Sequence, residues 1–278
     1  MECRVGYEKT VGRFRARSRA SDPALDPTPM VQELIARLDF TAANLSLTDK
    51  SILDFGCGTG LALGWLQRRT NAGRLVGIDI SEGAVEAARR SYPDITFHLG
   101  NIEKPVESIG SFDVVLSFEV LERLVNPSAA LAMVVSTYLR REGVFVVTTP
   151  NRLVFSAGME PSPINLTHIR EMNETEFRCL LGEFFDDVNL WGMRFREPVR
   201  RREHARLVRA ACHGYRLLGR WWWNKYVNRS YRWLLKGELF RVLAGSRYHR
   251  WQASDFEFVR SAADAIWFYA ICRGPKAI

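Results

Sequence analysis

The chain has 278 residues, 47% of them apolar and 25% charged, with a formal charge of +8. These proportions exclude a disordered or fibrous chain, and the length suits one α/β domain of about 190–200 residues plus an elaboration. The basic excess is local: between Arg194 and Arg250 there are 16 Lys/Arg against Glu197, Glu203 and Glu238, a balance of +13 that leaves the rest net acidic.

The cysteines, Cys3, Cys57, Cys179, Cys212 and Cys272, are odd in number and scattered, without the paired spacing of a zinc site, and suit a reducing cytoplasm. No continuous apolar stretch opens the chain, so no signal peptide is expected. The longest membrane-span candidate, Leu124 to Leu139, is broken by Asn126 and Pro127. A cytoplasmic protein is expected, at most peripheral at a membrane surface.

In chain order, Met1 to Pro29 is Arg-rich and then Pro/Asp-rich and is expected to be mostly irregular. Met30 to Phe40 carries a helical stripe of Val31, Leu34, Ile35 and Leu38. Apolar runs at Ser51–Phe55, Arg74–Ile80, Ile95–Leu99, Phe112–Phe118 and Val144–Thr149 read as strands. The stretches Leu61–Arg69, Glu82–Tyr92 and Ser128–Arg140 read as helices between them. This alternation predicts βαβ units and a parallel sheet covered on both faces. A helix at Glu174–Leu181, a strand at Asp187–Trp191 and a last strand at Ala265–Cys272 complete the pattern. The predicted domain comprises residues 1–191 and 264–278. Between lies an inserted basic and aromatic helical segment, 192–263, containing Trp221-Trp222-Trp223.

Leu53-Asp54-Phe55-Gly56-Cys57-Gly58-Thr59-Gly60 follows the first strand and opens a helix. Glycines there permit positive φ and close approach of a ligand, and amides at the helix start offer donors. By itself the pattern also fits a tight strand-to-helix turn. Asp79, about 20 residues on at the end of the second strand, stands where an acid meets a ribose diol in nucleotide-binding α/β folds. A dinucleotide oxidoreductase is disfavoured because Gly-x-Gly-x-x-Gly spacing is lacking.

With Asp113-Val114-Val115, Ser117-Phe118-Glu119-Val120-Leu121-Glu122 and Thr149-Pro150-Asn151, the chain resembles the class I S-adenosylmethionine-dependent methyltransferases, particularly their type 11/12 small-molecule branch. The resemblance covers roughly residues 50 to 191 and resumes near 265–272. It implies a Rossmann-like α/β fold with a seven-stranded sheet, mostly parallel with an antiparallel last strand, and S-adenosyl-L-methionine as cofactor. It implies that Gly56 and Gly58 line the methionyl part, with Cys57 a small loop residue between them, and that Asp54 supports the loop. Asp79 would take the ribose hydroxyls, Ile80 would pack on adenine beside Asn101 and Ile102, and Phe118 would close the pocket near the sulfonium. Asn101 stands where relatives usually have Asp.

Some relatives carry Glu-x-x-Glu-His as a divalent-metal site. Here Glu119-Val120-Leu121-Glu122-Arg123 puts a guanidinium at the histidine position, so no metal is expected. His168, in Asn165-Leu166-Thr167-His168-Ile169-Arg170-Glu171, resembles the branch's Asn-Pro-x-His-x-x-Glu loop and is the candidate catalytic base. The alternative is a histidine that pins the loop.

Methyl transfer needs alignment and water exclusion more than special side chains, so the acceptor is poorly encoded. The expected reaction is O-methylation of a small-molecule or glycan-like acceptor by a monomer or homodimer. The insertion reads as an Arg-lined acceptor lid, an anionic-membrane contact or, less favoured, an RNA-binding face; a solvated charged surface is the plain alternative. Two rival readings stay open: an RNA methyltransferase, and a cofactor-binding protein that no longer catalyses.

Overall fold

The computed structural model describes residues 29–102, 104, 106, 109–160, 162, 165, 167–222, 252–260 and 263–277. The Arg-rich opening, most of the basic insertion after Trp222, and with them Cys3 and Trp223, lie outside the described residues.

Helix α1 (Pro29–Asn44) precedes β1 (Ile52–Phe55), α2 (Leu61–Arg69), β2 (Leu75–Asp79), α3 (Glu82–Ser91) and β3 (Thr96–Leu99). Then follow β4 (Phe112–Phe118), α4 (Pro127–Met133), β5 (Leu139–Pro150) and the single turn α5 (Arg152–Phe155). The chain continues through α6 (Glu174–Phe184), β6 (Phe185–Phe195), α7 (Pro198–Trp222), β7 (Phe256–Val259) and β8 (Trp267–Pro275). Local chemistry marks the starts. Ser81 Oγ caps α3 by accepting from the Ala84 amide (3.3 Å), with Arg89 and Arg90 in the last turn where the helix dipole favours cations. Asn126 and Pro127 open α4, and Asn173 with Glu176 forms a capping box for α6.

Among the described residues the strands form one sheet in the order β3-β2-β1-β4-β5-β8-β6-β7. β1 to β5 are parallel to their neighbours, whereas β8 runs antiparallel between β5 and β6, and β7 antiparallel on β6. The expected seven strands are eight. β6 does not stop at Trp191 but runs to Phe195, because Gly192–Phe195 pair with β7, whose short Phe256–Val259 the sequence pattern had merged with the insertion. The helix expected over Ser128–Arg140 ends at Met133 in a π turn, Val134–Tyr138, and β5 begins at Leu139.

Successive strand residues feed opposite cores. Ile52, Val114, Leu116 and Val146 pack under α1, α2 and α3 through Leu38, Leu63 and Val85. Leu53, Val115, Phe145 and Val147 pack under α4 and α6 through Leu131, Phe177 and Leu181. With both faces covered, these strands lose the polar alternation of a half-exposed sheet. Truncating one of these fully buried side chains, such as Leu63→Ala, costs about 2–5 kcal/mol. For the site, the decisive feature is the reversal of strand order at β1: β2 and β3 lie to one side, β4 and β5 to the other. Ligands of open α/β sheets bind outside the carboxyl ends of the strands at such a switch point.

Candidate active site

At that point the glycine loop folds back on β2. Gly56, Gly58 and Gly60 have φ of 93°, 53° and 79°, values that side-chain-bearing residues rarely adopt. Asp79 is 3% exposed; the Gly58 amide donates to Oδ2 (2.8 Å) and the Ser81 amide to Oδ1 (2.9 Å). A carboxylate has about four acceptor positions, so these bonds fix its orientation and leave capacity for a diol. Asp54 is also buried. Its carboxyl is pushed up to about 7, first by burial and then by the charge of Asp79. Cys57 is buried with Sγ beside Gly77, where a Cβ would lie 2.7 Å away. Burial, Asp54 and Asp79 hold its thiol well above the usual range, so it stays a thiol in the core, and its contribution to the loop is its backbone.

Along the same edge Ile80 is half exposed, an apolar side chain at the mouth of the site, while Ile102 is buried and Asn101 and Phe118 are partly buried. Gly56 abuts the residue after β4: a Cβ there would lie 2.5 Å from Val120 Cγ2. The structure thus brings the residues read as cofactor-binding to the carboxyl ends of β1, β2, β3 and β4. The positive-φ loop, the oriented Asp79 and the exposed Ile80 fit an adenosyl ligand.

Beyond β4 stands a cluster of titratable groups that the sequence marks only in part. Glu119 sits at φ 60° and bonds through its amide to the Thr148 carbonyl (3.2 Å), while Thr148 Oγ1 donates to its Oε1 (3.1 Å). Glu122 is fully buried; Thr149 Oγ1 donates to Oε2 (3.3 Å), whereas Oε1 has no hydrogen-bond partner. Its carboxyl is pushed up to about 8, first by burial and then by Glu119, against the opposing pull of Arg123. Arg123 Nε lies 3.5 Å from Glu122 Oε1 and donates to the Glu119 carbonyl (2.9 Å), and its Nη1 bonds Thr167 Oγ1. Among the described residues no three His, Cys, Asp or Glu side chains are grouped so that they could hold a metal ion.

His168 joins this cluster. The Thr167 amide and hydroxyl both donate to Asn165 Oδ1 (3.2 and 2.8 Å), so the Asn165 amide group must donate to His168 Nε2 (2.7 Å). Nδ1 then carries the proton and donates to Glu171 Oε1 (2.7 Å), whose Oε2 accepts from Ser156 Oγ (2.6 Å). The ring is 4% exposed and stacks on Phe155 at 5.5 Å. Burial lowers its pKa despite Glu171, which keeps the imidazole neutral. As it stands His168 pins the loop, and Nε2 becomes available as a base only when Asn165 gives way. Nε2 is 3.7 Å from Glu122 Oε1.

Two buried groups escaped sequence reasoning. Arg37 is 3% exposed in α1, its guanidinium over the Trp267 ring (5.2 Å) and Nη2 3.6 Å from Glu119 Oε1. Glu171 was read only as part of a loop pattern. The signal for Arg37 was its place beside Leu34, Leu38 and Thr41 on the packed side of α1.

The insertion's first helix, α7, packs Val208, Ala211 and Cys212 inward, with Cys212 Sγ 3.2 Å from the Ser156 carbonyl. Arg200 and Arg201 anchor its start through Asp255 (2.6 Å) and Glu257 (3.0 Å). Arg202, Arg206, Arg209 and Arg216 are exposed on the outer side. A cavity of about 520 Å³ lined by Lys50, Asp113 and Arg140 lies at the opposite, amino-terminal edge of the sheet, away from this chemistry.

Fold and site together define a nucleotide-type cofactor enzyme of the open α/β class. The methyltransferase-domain family model matches residues 47–197, more than half of the chain. The chain belongs to the S-adenosylmethionine-dependent methyltransferases. It is 36% identical over 132 residues to a probable S-adenosylmethionine-dependent methyltransferase of Mycolicibacterium smegmatis, covering 48% of this chain and 50% of that protein. It is 31% identical over 122 residues to the ubiquinone biosynthesis O-methyltransferase of Neisseria meningitidis, covering 42% and 50%. The chain spans about half the length of the curated relatives it matches. In fold it is similar to a possible histamine N-methyltransferase of Thermotoga maritima (TM-score 0.56, 14% identity, 87% and 89% of the two chains). A plantazolicin methyltransferase bound to S-adenosylhomocysteine is similar as well (TM-score 0.53, 18% identity, 97% and 90%). No helix among the described residues is long and apolar enough to cross a membrane.

Proposed function

We propose that the chain transfers the methyl group of S-adenosylmethionine to a hydroxyl of a small-molecule or glycan-like acceptor bound over the carboxyl ends of β4 and β5. The observation that carries this is the buried Glu122–His168–Glu171 group, which follows Val120, the residue that Gly56 abuts, and holds one unpartnered carboxyl oxygen, Glu122 Oε1. In this reading Asp79 holds the ribose hydroxyls, the Gly56 and Gly58 backbone passes along the methionyl part, and Ile80, Asn101 and Ile102 flank adenine, with Phe118 near the sulfonium. Asp54 supports the loop. The acceptor hydroxyl enters between Glu122 Oε1 and His168 Nε2, displacing the Asn165 amide. As the acceptor oxygen bonds the methyl carbon and the carbon–sulfur bond breaks, the hydroxyl proton passes to His168 Nε2. Glu171 on Nδ1 stabilises the imidazolium. S-adenosylhomocysteine leaves as a neutral thioether.

The similarity to a ubiquinone biosynthesis O-methyltransferase supports the oxygen-directed reading. Helix α7 covers the acceptor side as a lid, its inner face against Ser156 and its outer arginines toward anionic groups on the acceptor or a membrane surface. The helical part of the segment predicted as an insertion over 192–263 thus serves the domain, whose sheet itself takes in Gly192–Phe195 and Phe256–Val259. The test is incubation of the full chain with methyl-labelled cofactor and a cell extract, then separation of small molecules, glycans, protein and RNA. Label in the small-molecule or glycan fraction as an alkali-stable ether supports the proposal. Label confined to RNA, or none above a heat-killed control, overturns it in favour of the RNA or the non-catalytic reading.

A further inference from the structure

Resting on that reading and extending it to the chemical class of the acceptor, we propose that Arg37 is an anion receptor at the acceptor site and that the acceptor carries a carboxylate, which docks there in place of Glu119. Arg37 is the basic side chain that α1 drives into the packed edge above β4, at 3% exposure. Its Nε and Nη2 are both buried without a hydrogen-bond acceptor. Stranding guanidinium donors in this way is costly, and native structures rarely tolerate it without a ligand or function to meet them.

The groups around Arg37 fit a site awaiting a second anion. The Trp267 ring backs the guanidinium from one face at 5.2 Å, a contact that holds a cation without using its N–H donors. Glu119 Oε1 stands 3.6 Å from Nη2, close enough to balance charge but beyond a hydrogen bond, and is itself claimed by Thr148 Oγ1 at 3.1 Å. Glu119 is partly exposed on a left-handed backbone, φ 60°. Such strain in a residue with a side chain is characteristic of sites that change on binding. Glu33, one turn before Arg37 on α1, has its carboxyl pushed up to about 8, first by burial and against the opposing pull of Arg37.

A planar carboxylate matches the fork of Nε and Nη2 in two parallel charge-assisted bonds, which Glu119 is not placed to make. The location assigns the anion to the acceptor. Glu119 adjoins Val120, against which the glycine loop packs, and its charge acts on Glu122, whose unpartnered Oε1 is read above as the hydroxyl site. Arg37 would therefore hold one end of a hydroxy acid whose hydroxyl lies at Glu122 and His168.

The test uses the full chain saturated with S-adenosylhomocysteine and matched probe pairs, glucuronate with glucose and 4-hydroxybenzoate with phenol, titrated by calorimetry. In at least one pair the carboxylate should bind 10-fold or more tightly than its uncharged partner. Arg37→Met should abolish that difference, Arg37→Lys should keep part of it, and Glu119→Gln should tighten the carboxylate several-fold. S-adenosylhomocysteine affinity and melting temperature should stay near wild type in Arg37→Lys and Glu119→Gln, which guards against misfolding. Equal binding within both pairs, or no weakening in Glu119-competent Arg37→Met, overturns the proposal. So does a 10-fold loss of S-adenosylhomocysteine affinity on Arg37→Lys and Arg37→Met with 5′-methylthioadenosine unaffected, since Arg37 would then hold the cofactor's own carboxylate. The readout is binding, so it fails independently of methyl transfer.

Discussion

Replacing Asp79 by alanine should weaken cofactor binding and loosen the glycine loop together, because one carboxylate serves both. In the unliganded protein its two oxygens take the Gly58 and Ser81 amides at 2.8 and 2.9 Å. In the function proposed above it also takes the ribose diol of the bound cofactor. The substitution leaves the Gly58 amide without its acceptor and the ribose hydroxyls unpaired in a site only 3% exposed. Losing hydrogen bonds to a charged partner costs about 1.5–3 kcal/mol, or roughly 10- to 150-fold in Kd. Asp79→Asn should be nearly as damaging despite its shape, because its NH₂ would face one of two amide donors. Isothermal titration with S-adenosylhomocysteine measures the effect, and denaturant unfolding of the same variants measures the loop's loss. A wild-type Kd in both variants would refute the role given to Asp79.

Four further outcomes are expected. Gly60→Ala should destabilise the fold by about 1–3 kcal/mol: its φ is 79° and a Cβ would lie 2.8 Å from Phe97 Cζ, so an unchanged urea midpoint would contradict it. Glu122, with a folded pKa of about 8 against 4.5 unfolded, binds more protons folded than unfolded between those values, so its contribution is full below 4.5 and is lost as pH rises through 8. Glu122→Gln should flatten the fall in stability from pH 5 to 8, where each such group contributes a slope of at most about 1.4 kcal/mol per pH unit; an unchanged slope would show that Glu122 ionises normally. Methyl transfer should persist in excess EDTA, because Arg123 engages Glu122; its loss, rescued by one divalent ion, would show a ligand set formed on binding. Neutralising Arg202, Arg206 and Arg209 to Gln should lower transfer without changing cofactor affinity, and full turnover would reduce the stripe to a solvated face.

The geometry of the glycine loop was legible because its chemistry is local. A strand, three glycines at fixed spacing and an acid at the end of the next strand specify their own geometry, and Gly58 and Asp79 meet as that spacing requires. The sheet's far edge was not. Gly192–Phe195 and Phe256–Val259 are short, separated by some sixty residues of basic sequence, and become strands only by pairing with each other. Arg37 was hidden for another reason: an arginine among the apolar residues of an amphipathic helix reads as a solvated flank, and only the sheet beneath reveals that Trp267 and Glu119 receive it. His168 was identified from its loop pattern, but the Asn165 amide that occupies its lone pair depends on a fold of that loop which spacing does not dictate.

A crystal structure of the chain with S-adenosylhomocysteine tests the central claim most directly. The ribose hydroxyls should bond Asp79, adenine should lie on Ile80, and the sulfur should face the space between Glu122 and His168. A ligand seated over the same loop with its sulfur turned away from that cluster, or one that leaves Asp79 without a ribose contact, would contradict it.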